Sequence, residues 1–280
     1  MFSKKTMIID VKKESEKIAR EIYSGSVEQA CEDYKNILGN YHFLTDAQLE
    51  KGVLNNFGVF LGKHARKHPG NFLHFCQNIW YDNGDYSRAS IGPILSALEQ
   101  IDPSNTIAAI ITMCRDAQSI DDVDIMVTGF ELVILRNPHQ YFPLLAEYMM
   151  DENIWIKRLM IVTIGHIMQR YKSEEITKQC LELLRPAIGH RNKYIQNTTR
   201  WIIGSYGVRA DQRAVAAFVE TYADSEDPIV IGNFSEALKR SKIYIQKDVC
   251  TALIPVFERW SKLNNEEIRK NAQCVLRILR

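Results

Sequence analysis

The sequence has no CxxC pair, no HExxH segment, no phosphate-cradling glycine-rich loop and no nucleophile elbow. Those absences remove the commonest zinc, nucleotide and serine-hydrolase chemistries. The six cysteines, Cys31, Cys76, Cys114, Cys180, Cys250 and Cys274, are scattered with no histidine at ligand spacing. They read as small buried apolar residues in a reducing compartment. Among seven histidines the one close group, His64, His68 and His74, has no acid at ligand spacing, so neither a metal nor any other cofactor is expected. No apolar run approaches a bilayer span, since Leu159 to Ile164 is followed by Gly165, His166 and Gln169. Met1 to Ile9 carries two lysines but no small-residue cleavage site. Secretion is therefore not expected, and a cytoplasmic location is. Sustained period-2 alternation and low-complexity linkers are also missing, which predicts essentially no sheet and one continuous domain.

What is present is helical periodicity, and it recurs. Helix-start residues stand at Pro69, Pro103, Pro138, Ser173 and Asp211, an interval of roughly 35 residues that matches a two-helix solenoid repeat. A second helix is predicted after each, beginning near Asp85, Ser119, Asp151, Asn192 and Pro228. The expected fold is an all-α helical-repeat solenoid whose second helices line a concave basic groove. Residues 1–66 are expected to form N-terminal capping helices, 67–241 the helix-pair repeats and 242–280 an additional C-terminal pair. With 46% hydrophobic residues the chain can bury a continuous core.

Charge is unevenly placed. Residues 1–184 hold 19 Lys plus Arg against 24 Asp plus Glu, a net of −5, and residues 185–280 hold 16 against 10, a net of +6. That asymmetry suggests an anionic ligand contacting mainly the second half, the alternative being uneven solvation of helix faces.

Three ordered segments carry a family resemblance: Asp151-Glu-Asn-Ile-Trp-Ile-Lys-Arg158, Lys193-Tyr-Ile-Gln-Asn-Thr-Thr-Arg-Trp201-Ile-Ile-Gly-Ser-Tyr206 and Ser235-Glu-Ala-Leu-Lys239. Over roughly residues 30–241 the chain resembles the DNA alkylation repair family of HEAT-like proteins, best known for glycosylases that remove N3- and N7-alkylated purines. The resemblance implies a role in base excision repair. It also implies a carboxylate at Asp124, a tryptophan at Trp201 and a tyrosine at Tyr34 facing the lesion-bearing nucleotide, and a phosphate-contacting Arg158. The family's other tryptophan, four residues before the carboxylate, falls on Ile120.

An alkylated N3 or N7 purine is already a cation and a good leaving group, so one carboxylate can suffice by stabilising positive charge as the glycosidic bond opens. Asp121, Asp122 and Asp124 also all fall at a helix start, where carboxylates complement the macrodipole. Trp201 is flanked by Arg200, Lys193 and Arg191, as an aromatic plane packing on a nucleotide requires, whereas Trp155 and Trp80 read as packing residues. Lys157, Arg158, Arg191, Lys193, Arg200, Lys239, Arg240, Lys242 and Lys247 recur near the starts and ends of second helices in successive repeats. Stacking those helices would align them into a track for the backbone of double-stranded DNA, alkylated or branched. Three functions follow from this reading: a monofunctional glycosylase, a non-catalytic binder of bent, branched or damaged DNA, and a generic protein scaffold.

Overall fold

A computed structural model describes residues 10–39, 47–82, 87–241 and 245–280. All of the regular structure among them is helical, and the fold is an all-α helical repeat. The predicted starts at Asp85 and Lys242 lie outside the described residues.

The openers are where helices begin, because each supplies the start chemistry of a helix. Pro69, Pro103 and Pro138 occupy the first turns of α4 (Pro69–Tyr81), α6 (Pro103–Arg115) and α8 (Pro138–Met149), where a missing N–H costs nothing. Ser173 precedes α10 (Glu174–Ile188), and Asp211 caps α13 (Gln212–Glu220) by accepting from the Ala214 N–H at 2.9 Å. The second helices are α5 (Ile91–Glu99), α7 (Ile120–Arg136), α9 (Ile154–Tyr171), α11 (Lys193–Trp201) and α14 (Pro228–Arg240). Three helices precede the pairs, α1 (Val11–Tyr23), α2 (Val27–Gly39) and α3 (Ala47–His64), and α15 (Lys247–Trp260) and α16 (Glu266–Leu279) follow them.

The chain divides into two compact units, residues 1–133 and 134–280. In the first, α2 packs on α4 and α4 on α6, while α1 packs on α3 and α3 on α5. Its core centres on Tyr34, whose ring meets Phe57 and Phe75 edge-on, each at 5.7 Å. In the second, the first helices α8, α10, α13 and α15 pack in succession, and so do α9, α11, α14 and α16. Each helix buries one apolar stripe against the next pair, which is how a repeat protein assembles a core no single pair can supply. Phe218, Phe234, Phe257 and Trp260 form the aromatic centre of this unit.

Helix α11 does not end at Trp201. It runs through one π-helical turn, Ile202–Gly207, into α12 (Val208–Ala210), with the Val208 N–H donating to the Ile203 carbonyl. Two glycines make room for that turn. A Cβ on Gly204 would lie 2.2 Å from the Ala237 carbonyl oxygen of α14, and one on Gly165 of α9 would lie 2.4 Å from the Ile202 side chain. A larger residue at Gly204 would push α14 away, whereas one at Gly165 would first displace the Ile202 and Tyr206 side chains.

Candidate functional site

In the first unit the start of α7 sorts its three aspartates. Asp122 is buried and its Oδ2 accepts from the Gln118 and Ser119 N–H groups at 2.9 and 3.1 Å, while the Ser119 hydroxyl accepts from the Asp122 N–H at 3.1 Å. This reciprocal cap satisfies donors that a helix start otherwise leaves open. Arg88 braces the cap, pairing with Asp122 at 3.2 Å while lying over the Trp80 ring at 4.8 Å. Capping therefore falls to Asp122. Asp124 is exposed, and Ile120, four residues earlier and so on the same helix face, is 40% exposed. Tyr34 belongs to the same unit but is fully buried, donating to the Ser90 hydroxyl at 2.7 Å. Its position is a core position, and burial pushes its phenol above the ordinary range.

The second unit holds the aromatic and cationic residues. Trp201 is 37% exposed at the end of α11, and its ring centroid lies 5.0 Å from that of Tyr206, which in turn faces His166 at 5.7 Å. The Trp201 and Tyr206 rings are five residues apart and meet because of the π turn.

Arg200 beside it is half-buried and held by two neutral groups. Its Nε donates to the Asn233 Oδ1 at 2.6 Å and a terminal nitrogen donates to the Gln196 Oε1 at 3.1 Å. Those amides are themselves fixed: Asn233 donates to the Ile188 carbonyl at 2.6 Å, and Gln196 donates to the carbonyls of His190 and Arg191 at 3.0 and 3.1 Å. With the amide nitrogens committed to the α10–α11 loop, only their oxygens face the guanidinium, which is thus positioned without being neutralised. Burial lowers the Arg200 pKa, the Glu236 charge opposes that, Arg240 lowers it further by repulsion, and Glu267 raises it. Glu236 is itself paired with Lys239 at 2.9 Å. Guanidinium stays charged at neutral pH regardless. Arg200 and Arg240 are thus close enough to repel, with the Glu236 and Glu267 carboxylates acting on the same guanidinium.

The remaining expected cations fall into two groups. Lys157 and Arg158 are buried in α9: Lys157 donates to the Met149 carbonyl at 2.9 Å, and Arg158 donates to the Thr198 hydroxyl at 2.5 Å, tying α9 to α11. Burial lowers the Lys157 pKa, against the raising influence of Asp151 and Glu152. Lys239 bridges Glu236 and Asn271 of α16, the latter at 3.0 Å. Arg191, Lys193, Arg240 and Lys247 are exposed, and Lys242 lies outside the described residues. The sequence reading missed Gln196 and Asn233, whose role appears only through their partners, and Tyr194, which packs on Trp155 at 5.5 Å. A repeated Asn-x-aromatic register, Asn153 to Trp155 and Asn192 to Tyr194, was the available signal.

No curated protein matches the chain. Among solved structures, an engineered protein aligns over 97% of both chains at 12% identity with a TM-score of 0.33, a likeness that carries no argument. The sequence profile described as DNA alkylation repair enzyme matches residues 63–239, well over half of the sequence and spanning α4 through most of α14. The chain belongs to the DNA alkylation repair family, with a role in DNA repair and DNA as its substrate or partner.

Proposed function

We propose that the protein is a monofunctional DNA glycosylase that releases cationic N3- or N7-alkylated purines. The observation that carries this reading is the position of Asp124, where the resemblance places the carboxylate: it is exposed on α7, on the helix face it shares with the exposed Ile120, while Asp122 caps the helix start. In the reaction the bond from C1′ of the deoxyribose to the purine nitrogen breaks with its electron pair going to the base, which leaves neutral. Water adds to C1′ and its proton passes to solvent. Asp124 stabilises the positive charge that develops on the sugar. Within the second unit, Trp201 and Tyr206 pack on DNA, and Arg200 with Arg240 holds backbone phosphate. Arg191, Lys193 and Lys247 extend that contact, and Lys157, Arg158 and Lys239 act from within by fixing the helices that present it.

A second reading, a non-catalytic binder of damaged or bent DNA, is favoured by one observation: Ile120 stands where the resemblance places a tryptophan, so the face around Asp124 has an aliphatic contact in place of an aromatic one. Single-turnover release of N7-methylguanine from a duplex with one such lesion separates the two. Base release that disappears in Asp124→Asn supports the glycosylase; tight binding without release selects the non-catalytic reading.

A further inference from the structure

Trp155 and Tyr194 occupy equivalent places in consecutive repeats. Each is the second residue of a second helix and follows an asparagine cap: Asn153 accepts from the Trp155 and Ile156 N–H groups at 2.9 and 3.2 Å, and Asn192 accepts from those of Tyr194 and Ile195 at 2.8 and 3.4 Å. Because α9 and α11 pack side by side, this shared register brings the two rings to 5.5 Å with a 43° tilt between their planes. Tyr194 is nonetheless 49% exposed, and Trp155 is only partly buried. The pair is braced from beneath, where Arg158 donates to the Thr198 hydroxyl and that hydroxyl donates to the Tyr194 carbonyl at 2.8 Å.

Two further features say what such a surface suits. Arg191 and Lys193 are exposed on either side of the Asn192 cap, and Lys193 sits in the first turn of α11, where the helix dipole disfavours a cation. A positive charge placed against the dipole, with the exposed Arg191 beside it, marks a surface that favours a polyanion. Tyr194 and Trp201 lie seven residues apart on one face of α11, about 10 Å along its axis, a span of roughly three stacked bases at 3.4 Å each.

We propose that the Trp155–Tyr194 pair is a stacking platform for an unpaired DNA base, set beside the contact made by Trp201, so that the protein favours DNA interrupted near that contact over continuous duplex. The proposal rests on the reading that the α11 face meets DNA. Within a continuous duplex every base face is covered by its neighbours, and an aromatic plane finds nothing to stack on. A gap uncovers one face, and stacking it on an aromatic side chain strengthens binding by on the order of tenfold. Asp151 and Glu152 stand just before α9, which favours a base over a phosphate on the Trp155 side and leaves the phosphates to Arg191 and Lys193.

The test compares a fluorescent duplex with the same duplex carrying a two-nucleotide gap, in which one unpaired position is 2-aminopurine. The full chain is expected to bind the gapped DNA about tenfold more tightly and to quench the 2-aminopurine. Tyr194→Ala should lose the preference and the quench with duplex affinity kept within twofold, while Tyr194→Phe keeps both, since the ring and not the hydroxyl is used. Thermal melting shows whether each variant is folded; should the alanine variant fail to fold, the absence of quenching by the parent alone overturns the platform. Equal affinity of the parent for the two DNAs, or an alanine variant that retains the preference, also overturns it and leaves the duplex reading standing. Failure to bind either DNA overturns the reading of the α11 face itself.

Discussion

Replacing Gln196 with glutamate changes the charge beside Arg200 while nearly preserving shape. Arg200 now meets a neutral oxygen at 3.1 Å; the variant puts a carboxylate there, forming an ion pair one helical turn apart. A phosphate docked on the far side of the guanidinium would lie about 6 Å from the new charge, where repulsion amounts to about 0.7 kcal/mol at the dielectric of water and about 2.8 kcal/mol at an effective value near 20. Duplex affinity should therefore fall between roughly threefold and a hundredfold. The salt dependence provides a second signature: losing one phosphate contact lowers the slope of log affinity against log salt by about 0.9. Stability should fall modestly. The new pair adds about 0.3–0.5 kcal/mol, and losing the amide's two hydrogen bonds, to His190 and Arg191, costs about 2 kcal/mol, so melting should drop by no more than about 6 °C. Anisotropy titrations at several salt concentrations, repeated in an Arg200→Gln background where Gln196→Glu should have much less effect, provide the assay. A folded Gln196→Glu protein with parental affinity and slope would refute the assignment of Arg200 to phosphate.

Asp124→Asn should slow alkylpurine release by on the order of a hundredfold or more, with binding to undamaged DNA unchanged or slightly tighter, because an amide keeps the shape and loses the stabilising charge; unchanged single-turnover excision would remove Asp124 from the chemistry. Gly204→Ala must separate the added carbon from the Ala237 carbonyl, from 2.2 Å to at least the 3.4 Å of ordinary contact, costing about 3 kcal/mol and roughly 6–12 °C of melting temperature; a melting curve within 2 °C of the parent would contradict so close an approach. Burial pushes Cys31 up to about 11 and Cys114 up to about 12, from an ordinary value of 9.0. The folded chain therefore keeps protons that the unfolded chain releases above pH 9, and stability is fully present below that pH and falls as pH rises through 9 to 11. Each group contributes about 1.4 kcal/mol per pH unit there. Urea midpoints that stay level from pH 8 to pH 10.5 would contradict this.

The helix starts were legible because proline, asparagine and aspartate write them locally: Pro69, Pro103, Asn192 and Asp211 act within a few residues of themselves. Side chains that act across repeats were not. Lys157 and Arg158 sit in a stretch, Ile154 to Gly165, that is apolar nearly all the way round. A helix buried on every side takes its charged residues inward with it, so that run was the clue that these two cations serve the interior. Asn233 looks like an ordinary polar residue in the sequence, and only the pairing of α11 with α14 reveals that it aims Arg200. Tyr34 was assigned from resemblance, while the aromatic neighbours that enclose it come from helices far apart in the chain.

The single wide turn at Ile202–Gly207 has a bearing on how this protein can change over generations. In an ordinary α-helix a residue five places beyond Trp201 lies about 140° around the axis; here Tyr206 comes round to meet it. The turn works as a leap day in the helical count, absorbing one surplus residue so that the segments on either side each keep their own calendar. Removing that residue would restore regular winding: Tyr206 would then stand four places from the tryptophan, about 40° around the axis and still its neighbour, while the segments downstream, the Asp211 cap included, keep their orientation. Along this stretch, then, register is inherited more strictly than chain length, and a lineage could shed the surplus residue while the helices on either side stay where they pack.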